Sequence, residues 1–469
     1  MGRIYIGLAG PYGVLVRHIT GSPHRLENEE IAVEAAPALR EAFLSGSPPP
    51  GEPVEVSIAH PLPFRPLEVH TMAFCYAVIG AGMQGAAAAY DLARFGDAQE
   101  IRLADQDPIR AERAAARLNA LLGRPLVQPA ALDVRDEEAA VAFLRTADAA
   151  ISAVPYRFNP LLARAALRAR TSLCDLGGHL PTTREVLALD EAAREAGIVL
   201  IPDCGLMPGL GNTLAVYAMR WMDQPRHVRI WCGGLPQRPR GPLGYQLFFH
   251  IAGLTAEYTG KAVFLRHGRI VEVDALSEPE IVTFPPPVGT CEAFVTSGGT
   301  STCPWSFQGI LETYEEKTVR YPGHLERIRL LAELGFLEAE PVEIDGVRVI
   351  PREVFHRLVE PRLRFPEDPA DVVVLRVACE GIHCGEPMTL SLDLMDFYDP
   401  ETGFTAMERT TGGHAAIVAT MMARGRTPKG ALPVECAVDP EIFVTEWLRR
   451  GIPIRETVQR PLRLVREAA

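Results

Sequence analysis

Gly80-Ala81-Gly82-Met83-Gln84-Gly85 is a run whose spacing implies chemistry. The first glycine of such a run turns the chain tightly after a strand. The second lets backbone approach a pyrophosphate, and the third lets the following helix pack on the sheet. The helix N-terminus then offers free N–H groups and the positive end of its dipole to phosphates. The pattern is common by chance; an apolar strand before it and a helix after it make it specific. Gly80, Gly82, Met83, Gln84 and Gly85 are therefore expected to cradle a dinucleotide. Asp105 closes the next strand, where a carboxylate accepts hydrogen bonds from ribose hydroxyls and repels a 2′-phosphate. Neither Gln106 nor Asp107 adds basic charge, so NAD is expected rather than NADP. Later strand ends supply further candidates: Asp133 and Val134 near the adenine, and Ala153, Val154 and Pro155 beside the pyrophosphate and nicotinamide ribose. Asp175, a further candidate cofactor contact, and Asp203 follow two more strands, at the edge where parallel sheets bind ligands, although helix capping and turn formation account for such acids equally well.

These residues need a scaffold, and the hydrophobic pattern provides one. From Tyr76 the chain alternates strand and helix: strands over Tyr76 to Gly80, Ile101 to Asp105, Val127 to Val134, Ala149 to Val154, Ser172 to Leu176 and Val199 to Pro202. Helices are expected over Ala86 to Phe95, Pro108 to Leu122, Glu137 to Leu144, Pro160 to Ala169 and Thr183 to Ala196. Such alternation implies an α/β fold, a Rossmann-type doubly wound parallel sheet covered on both faces. After about Thr213 the rhythm changes to β-type runs at His227 to Gly233, Lys261 to Arg266, Ile270 to Val273, Val342 to Ile350, Val372 to Cys379 and Met388 to Tyr398. An α+β domain inserted over 213–404 is expected. Residues 72–212 then form the dinucleotide domain, completed by 405–469, where helices over Gly412 to Met422 and Glu441 to Arg450 pack back.

Composition narrows the function classes. The formal charge of −12 over 469 residues lacks the basic footprint that nucleic acid or anionic membrane requires. The nine cysteines show no CxxC spacing, which fits a reducing cytoplasm. Cys379 to Cys384 includes His383, yet reads as packed strand thiols, and no metal is expected. Phe74 to Tyr90 is uncharged, but its three central glycines argue against a membrane span. Ile4 to Val16 is apolar yet broken by glycines and Pro11, without a clear cleavage site for a secretory signal.

At Ile201-Pro202-Asp203-Cys204-Gly205-Leu206-Met207-Pro208-Gly209 the chain resembles the lysine 6-dehydrogenase branch of the saccharopine dehydrogenase family. Four shorter stretches carry the same resemblance: Gly233 to Pro236, Pro242 to Gln246, Glu257 to Thr259, and Glu292 to Thr302, the last leading to Lys317-Thr318-Val319-Arg320-Tyr321-Pro322-Gly323-His324. It spans roughly Met72 to Arg450. The resemblance implies NAD-dependent oxidation at an amine-bearing carbon of an amino acid, in a homodimer or homotetramer. For lysine, the ε-amine carbon gives up hydride, and the imine hydrolyses to a semialdehyde that cyclises. Saccharopine and carboxynorspermidine dehydrogenases share this core; a non-catalytic NAD-binding sensor is the reading from another class. The chemistry needs a base, because a lysine ammonium has a pKa near about 10.4, and a positioned base contributes about 10²–10⁴-fold. Asp203, His324 and Lys317 are the catalytic candidates. Asp203, Thr300, Ser301 and Arg320 are the substrate-binding ones, with Lys317 or Arg320 clamping a carboxylate. A solvated Lys317 and a structural His324 stand as the plain alternatives.

Residues 1–71 fall outside that resemblance. They hold one expected helix, about Asn28 to Leu44, and then a proline-rich stretch from Pro48 to Pro66. They are expected to be an appendage, in one version preceding a true start at Met72. Intact-mass measurement of the native protein checks that version: a mass beginning at Met72 supports it, and a full-length N-terminus on every molecule overturns it.

Overall fold

The computed structural model describes residues 73–460, together with the strands Ile4–Ala9 and Gly13–His18. Those two strands pair antiparallel, from Ile4 opposite His18 to Ala9 opposite Gly13. The helix expected over Asn28 to Leu44 lies outside the described residues.

Seven parallel strands form the first sheet. Their spatial order is Gly430–Ala431, Val199–Ile201, Ser172–Asp175, Ala149–Ser152, Phe74–Ile79, Ala98–Asp105 and Val127–Ala131. The order reverses between Phe74–Ile79 and Ala149–Ser152, the crevice where such sheets bind nucleotides. Both central strands are apolar on both faces because helices cover both sides. The helices start where the sequence supplies caps. Asp107 accepts from the N–H groups of Ile109 and Arg110 to open Pro108–Leu122, and Asp136 accepts from Ala139 to open Glu137–Leu144. The single helix expected over Thr183 to Ala196 is two, Leu180–Leu187 and Asp190–Ala196. Asp190 accepts the Ala431 N–H at the sheet edge, which fixes the start of the second.

The second sheet has nine strands and is mixed. Its centre is Gln224–Pro236, parallel to Thr313–Arg320 on one side and antiparallel to Asp371–His383 on the other. Thr313–Arg320 has a divided outer edge. Thr313 and Tyr314 pair with Lys261–Arg266, whereas Thr318 to Arg320 pair with Gly289–Phe294. Between these partners the ladder forks at Glu315, Glu316 and Lys317. The run expected as one strand over Val342 to Ile350 is a hairpin, Val342–Ile344 with Val347–Val349. Its turn is Asp345-Gly346, both at positive φ, the combination that two-residue hairpins favour.

One helix joins the two sheets. Ala406–Ala423 is buried along almost its whole length and packs on Met83–Phe95, on two strands of the parallel sheet and on Asp371–His383. Its start is fixed twice. Thr405 and Glu408 form a capping box, and Asp371 accepts from the N–H groups of Ala406 (2.6 Å) and Met407 (2.9 Å). After it the chain adds Gly430–Ala431 to the parallel sheet. The final strand, Ile454–Gln459, does not follow: it pairs with Glu386–Phe397 in the mixed sheet. Residues 405–469 therefore do not belong wholly to the dinucleotide half, as the pattern suggested. An edge strand reading Ile-Arg-Glu-Thr-Val-Gln carries too little apolar signal to announce its partner. Among the described residues no helix is long and apolar enough to cross a membrane.

The contact between the two central helices yields a paired prediction. A Cβ on Gly412 would lie 2.7 Å from Ala88 N and 2.9 Å from Ala87 Cβ, whereas one on Gly413 meets nothing closer than 3.5 Å. Gly412→Ala is expected to destabilise by about 1–3 kcal/mol through overpacking. Gly413→Ala is expected to be neutral or stabilising by up to about 1 kcal/mol through helix propensity. Equilibrium denaturation of both variants checks the pair, and equal stability would refute the close-contact reading.

Candidate active site

At the dinucleotide turn two glycines are sterically required and one is left open. Gly80 has φ +108°, and a Cβ there would lie 2.5 Å from Ala153 O. A Cβ on Gly85 would overlap Gly80 O, while one on Gly82 meets nothing within 4 Å. Gly82 and Met83 are exposed, the Met83–Phe95 helix has no side-chain cap, and its first turn holds no acid. Gln84 beside it has a buried side-chain oxygen without a hydrogen-bond partner. This uncapped, uncrowded helix start fits a pyrophosphate. The neighbouring Ala153, Val154 and Pro155 follow the strand across the crevice, partly exposed.

Asp105 is buried at the end of its strand. One oxygen accepts from Ala81 N (3.0 Å) and the other from Asp107 N (3.0 Å), which ties the strand end to the glycine turn. Arg110 lies 3.9 Å from the same carboxylate, a cation one turn into the next helix that the reading of Gln106 and Asp107 missed. Asp133 is spent at the surface on Arg135, whose guanidinium holds its carboxyl down at about 2. Beside it, Val134 is buried.

Asp175 and Asp203 meet at the carboxyl ends of adjacent strands. Asp175 accepts from Gly177 N (2.8 Å) and Asp203 N (3.3 Å). Asp203, at φ +65°, accepts from Gly178 N (3.3 Å), from Thr183 Oγ1 and from Ser301 Oγ. Burial, and then the Asp203 charge, push Asp175 up to about 7; burial also raises Asp203. Ser301 belongs to the loop that returns from the mixed sheet, so the Asp203–Ser301 bond joins the two halves at the acid pair. Asn212 ties them again, donating to Tyr314 Oη (2.9 Å) and Cys303 Sγ (3.1 Å) while accepting from Gly209 N (2.7 Å). The Thr300 hydroxyl donates its hydrogen to Val263 O (2.7 Å), so it is not the donor to a substrate carboxylate.

Strand alternation separates the remaining candidates. On Thr313–Arg320 the side chains of Glu316, Thr318 and Arg320 share one face, and Glu315, Lys317 and Val319 the other. Lys317 donates to Glu278 O (3.0 Å) and pairs with Glu280 (3.4 Å), on the face opposite Arg320, so it joins neither the acids nor the clamp. Arg320 is buried: it donates to Tyr258 Oη (3.1 Å), Val319 O (3.0 Å) and Glu257 (3.3 Å), with Tyr245 beneath its guanidinium. His324 is not a base here. Its Nδ1 meets Leu243 O (3.0 Å) and its Nε2 meets Tyr258 Oη (2.8 Å), and burial lowers its pKa to about 3. A neutral His324 donates from Nδ1 and accepts the Tyr258 hydroxyl proton, which orients Tyr258 to accept from Arg320. The sequence reading gave no role to Glu257, Tyr258 or Glu316. Period-two counting back from Arg320 would have reached Glu316, but only the fold brings in Glu257 and Tyr258.

The Cys379 to Cys384 stretch also divides. Cys379 is packed, as expected, whereas Cys384 is exposed in the turn after the strand, beside His383 and Asp223.

Comparison with known proteins follows this division of the chain. Residues 76–201 match the family described as Saccharopine dehydrogenase NADP binding domain, and residues 205–452 match Saccharopine dehydrogenase C-terminal domain. The saccharopine dehydrogenase [NADP(+), L-glutamate-forming] of Pyricularia oryzae is 25% identical over 268 residues, covering 54% of this chain and 57% of that protein. Matches to the fungal relatives thus cover about half of their length. Carboxyaminopropylagmatine dehydrogenase of Synechocystis is 23% identical over 410 residues, 82% of this chain and 98% of that one. The apo saccharopine dehydrogenase (L-Glu forming) of Saccharomyces cerevisiae superposes with a TM-score of 0.65 at 20% identity, over 82% of this chain and all of that chain, and so shares the fold.

The acid pair makes stability depend on pH with a definite sign. A carboxyl whose folded pKa is raised holds a proton that the unfolded chain has already lost. Folding stability therefore falls as pH rises from the usual carboxylate value of about 3.9 towards the folded value of about 7. Asp203→Asn removes one titrating group and the charge that helps raise Asp175, while Asn tolerates the positive φ. Melting temperature measured from about pH 4 to about pH 8 should fall less steeply in the variant than in the wild type. An unchanged slope would show that the pair does not titrate as described.

Proposed function

The chain belongs to the saccharopine dehydrogenase family, and on that footing we propose that it is a pyridine-nucleotide-dependent dehydrogenase acting at the amine-bearing carbon of an amino acid, of the L-lysine 6-dehydrogenase type. One observation carries the reading: the Asp203–Ser301 bond closes the mixed sheet over a buried acid pair at the carboxyl edge of the same sheet that carries the dinucleotide turn. The residues that would hold the cofactor are Gly80, Gly82, Met83, Gly85 and Asp105, with Ala153 to Pro155 across the crevice. When bound, the nicotinamide supplies the hydride acceptor.

The chain's own part is to bind and deprotonate the amine. An amine must be neutral before its carbon releases hydride, so a proton acceptor is required near it. Asp175, raised to about 7 by burial and then by the Asp203 charge, supplies that acceptor, and the pair attracts the ammonium form. Desolvation of the amine in the same buried site lowers its own pKa. Arg320, held by Tyr258 and Glu257, is the buried cation for a substrate carboxylate. Asp105 favours NAD; Arg110 is the cation that would favour a phosphorylated cofactor, as in the NADP(+)-named relatives. Nine unpaired cysteines fit a reducing cytoplasm. A carboxylated polyamine derivative is the second reading, favoured by the near-complete span of the cyanobacterial carboxyaminopropylagmatine dehydrogenase match.

Steady-state assay of the purified protein tests this. NADH formation with L-lysine, faster with NAD than with NADP, and trapping of the cyclic imine are expected. Turnover of saccharopine or a carboxylated polyamine but not lysine would move the chain to a sibling activity. Tight NAD binding with no turnover across an amine and amino-acid panel would refute the enzyme reading.

A further inference from the structure

Glu316 is a buried carboxyl that the fold leaves without a counter-charge. It is 2% exposed, and its Oε2 has no hydrogen-bond partner. Among the described residues the cation acting on it is Arg320, which is already paired with Glu257 at 3.3 Å. Two carboxyls therefore share one guanidinium, and Glu316 is the surplus. A buried acceptor left unpaired costs about 1–3 kcal/mol, more if charged, so its retention calls for an occupant that donates.

The backbone packed against that oxygen is glycine. Gly299 stands over it, where a Cβ would lie 2.6 Å from Oε2 and 2.9 Å from the carboxyl carbon. Its neighbour Gly298 faces Gly178 O, 3.7 Å from where a Cβ would be, and Gly178 donates to Asp203. Two consecutive glycines of one loop thus face Glu316 and the Gly178 turn that donates to Asp203. The ladder fork at Glu315 to Lys317 is what admits this loop to the strand's edge.

We propose that Glu316 is the counter-charge for the α-ammonium group of an amino-acid substrate, whose carboxylate meets Arg320 on the same strand face. This rests on the amino-acid dehydrogenase reading above and adds a binding subsite to it. Glu316 and Arg320 flank Thr318, whose hydroxyl shares a hydrogen bond with Thr296 (2.6 Å) and also acts on the Glu316 carboxyl. A zwitterion satisfies both at once; a monocarboxylate leaves Glu316 unmet. Glu257, Arg320, Cys232 and the Thr318 hydroxyl are the polar and titratable groups around Glu316. Burial first, then Glu257, raise Glu316 to about 8 in the free protein, so ammonium binding near pH 7 expels its proton.

The test is calorimetric titration of the full chain, with NAD present, using L-norleucine, which carries the zwitterionic head but no side-chain amine, against hexanoate. Wild type is expected to bind L-norleucine at least ten-fold more tightly than hexanoate and to release a proton, read from buffers of different ionisation enthalpy. Glu316→Gln should remove both the preference and the proton release. Gly299→Ala, which crowds Oε2 from another element, should weaken L-norleucine several-fold. NAD affinity should be unchanged in both variants, which also reports that they fold. Wild type binding L-norleucine no better than hexanoate, or Glu316→Gln keeping the preference, would overturn the assignment. Because no turnover is needed, a protein that prefers L-norleucine yet oxidises no amine would refute the dehydrogenase reading and leave the subsite standing. One that oxidises amines without the preference would do the reverse.

Discussion

The approach of Gly412 to Ala87 and Ala88 sets the geometry on which the rest of this protein depends. Two buried helices meet there with no side chain between them. One opens at the glycine turn of the parallel sheet; the other has its first N–H groups tied to Asp371 of the mixed sheet. The dinucleotide turn and the mixed sheet are thereby placed relative to each other by close-packed backbone, which deforms little. The small residues Ala86 to Ala89 and Gly412 serve that closeness rather than any local chemistry.

Polar contacts then fix what packing brings together. Asp203 and Ser301 both adopt positive φ, and the hydrogen bond between them crosses from one half of the structure to the other. Left-handed backbone at two non-glycine residues costs energy, and it is found where surrounding structure holds it and where sites are built. Asn212 uses both ends of its amide for the same junction, and Thr302 and Ser306 do so by donating to the buried Glu435. The result is a buried, polar seam along the carboxyl ends of the strands, where charges act strongly on one another.

That seam explains the distribution of charge. Asp175, Asp203, Glu257 and Glu316 are all raised by burial, and among the described residues Arg320 is the guanidinium acting on the two glutamates. The guanidinium is held by Tyr258, and Tyr258 by His324, which is neutral and serves as an acceptor. A histidine in a family-like stretch invites a catalytic role; here both of its nitrogens are committed to orienting a neighbour.

The sequence determined the parallel half almost unaided. Apolar strands, capped amphipathic helices and the Gly80 to Gly85 spacing are local signals, and the helices Pro108–Leu122 and Glu137–Leu144 fall where their periodicity places them. It also brought Asp175, Asp203, Ser301 and Arg320 forward as candidates, from strand ends and from family-like stretches. Tertiary structure decided their company. Whether Lys317 or Glu316 stands with Arg320 depends on which face of a strand is turned inward, and no strand was read over Thr313 to Arg320 because its charged run masks the alternation. That Ile454–Gln459 joins the mixed sheet, that Arg110 reaches Asp105, and that Glu257 pairs with Arg320 are contacts between residues far apart in the chain or on separate elements. Such pairings come from packing, which acts on whole faces and leaves little mark on neighbouring residues in the sequence.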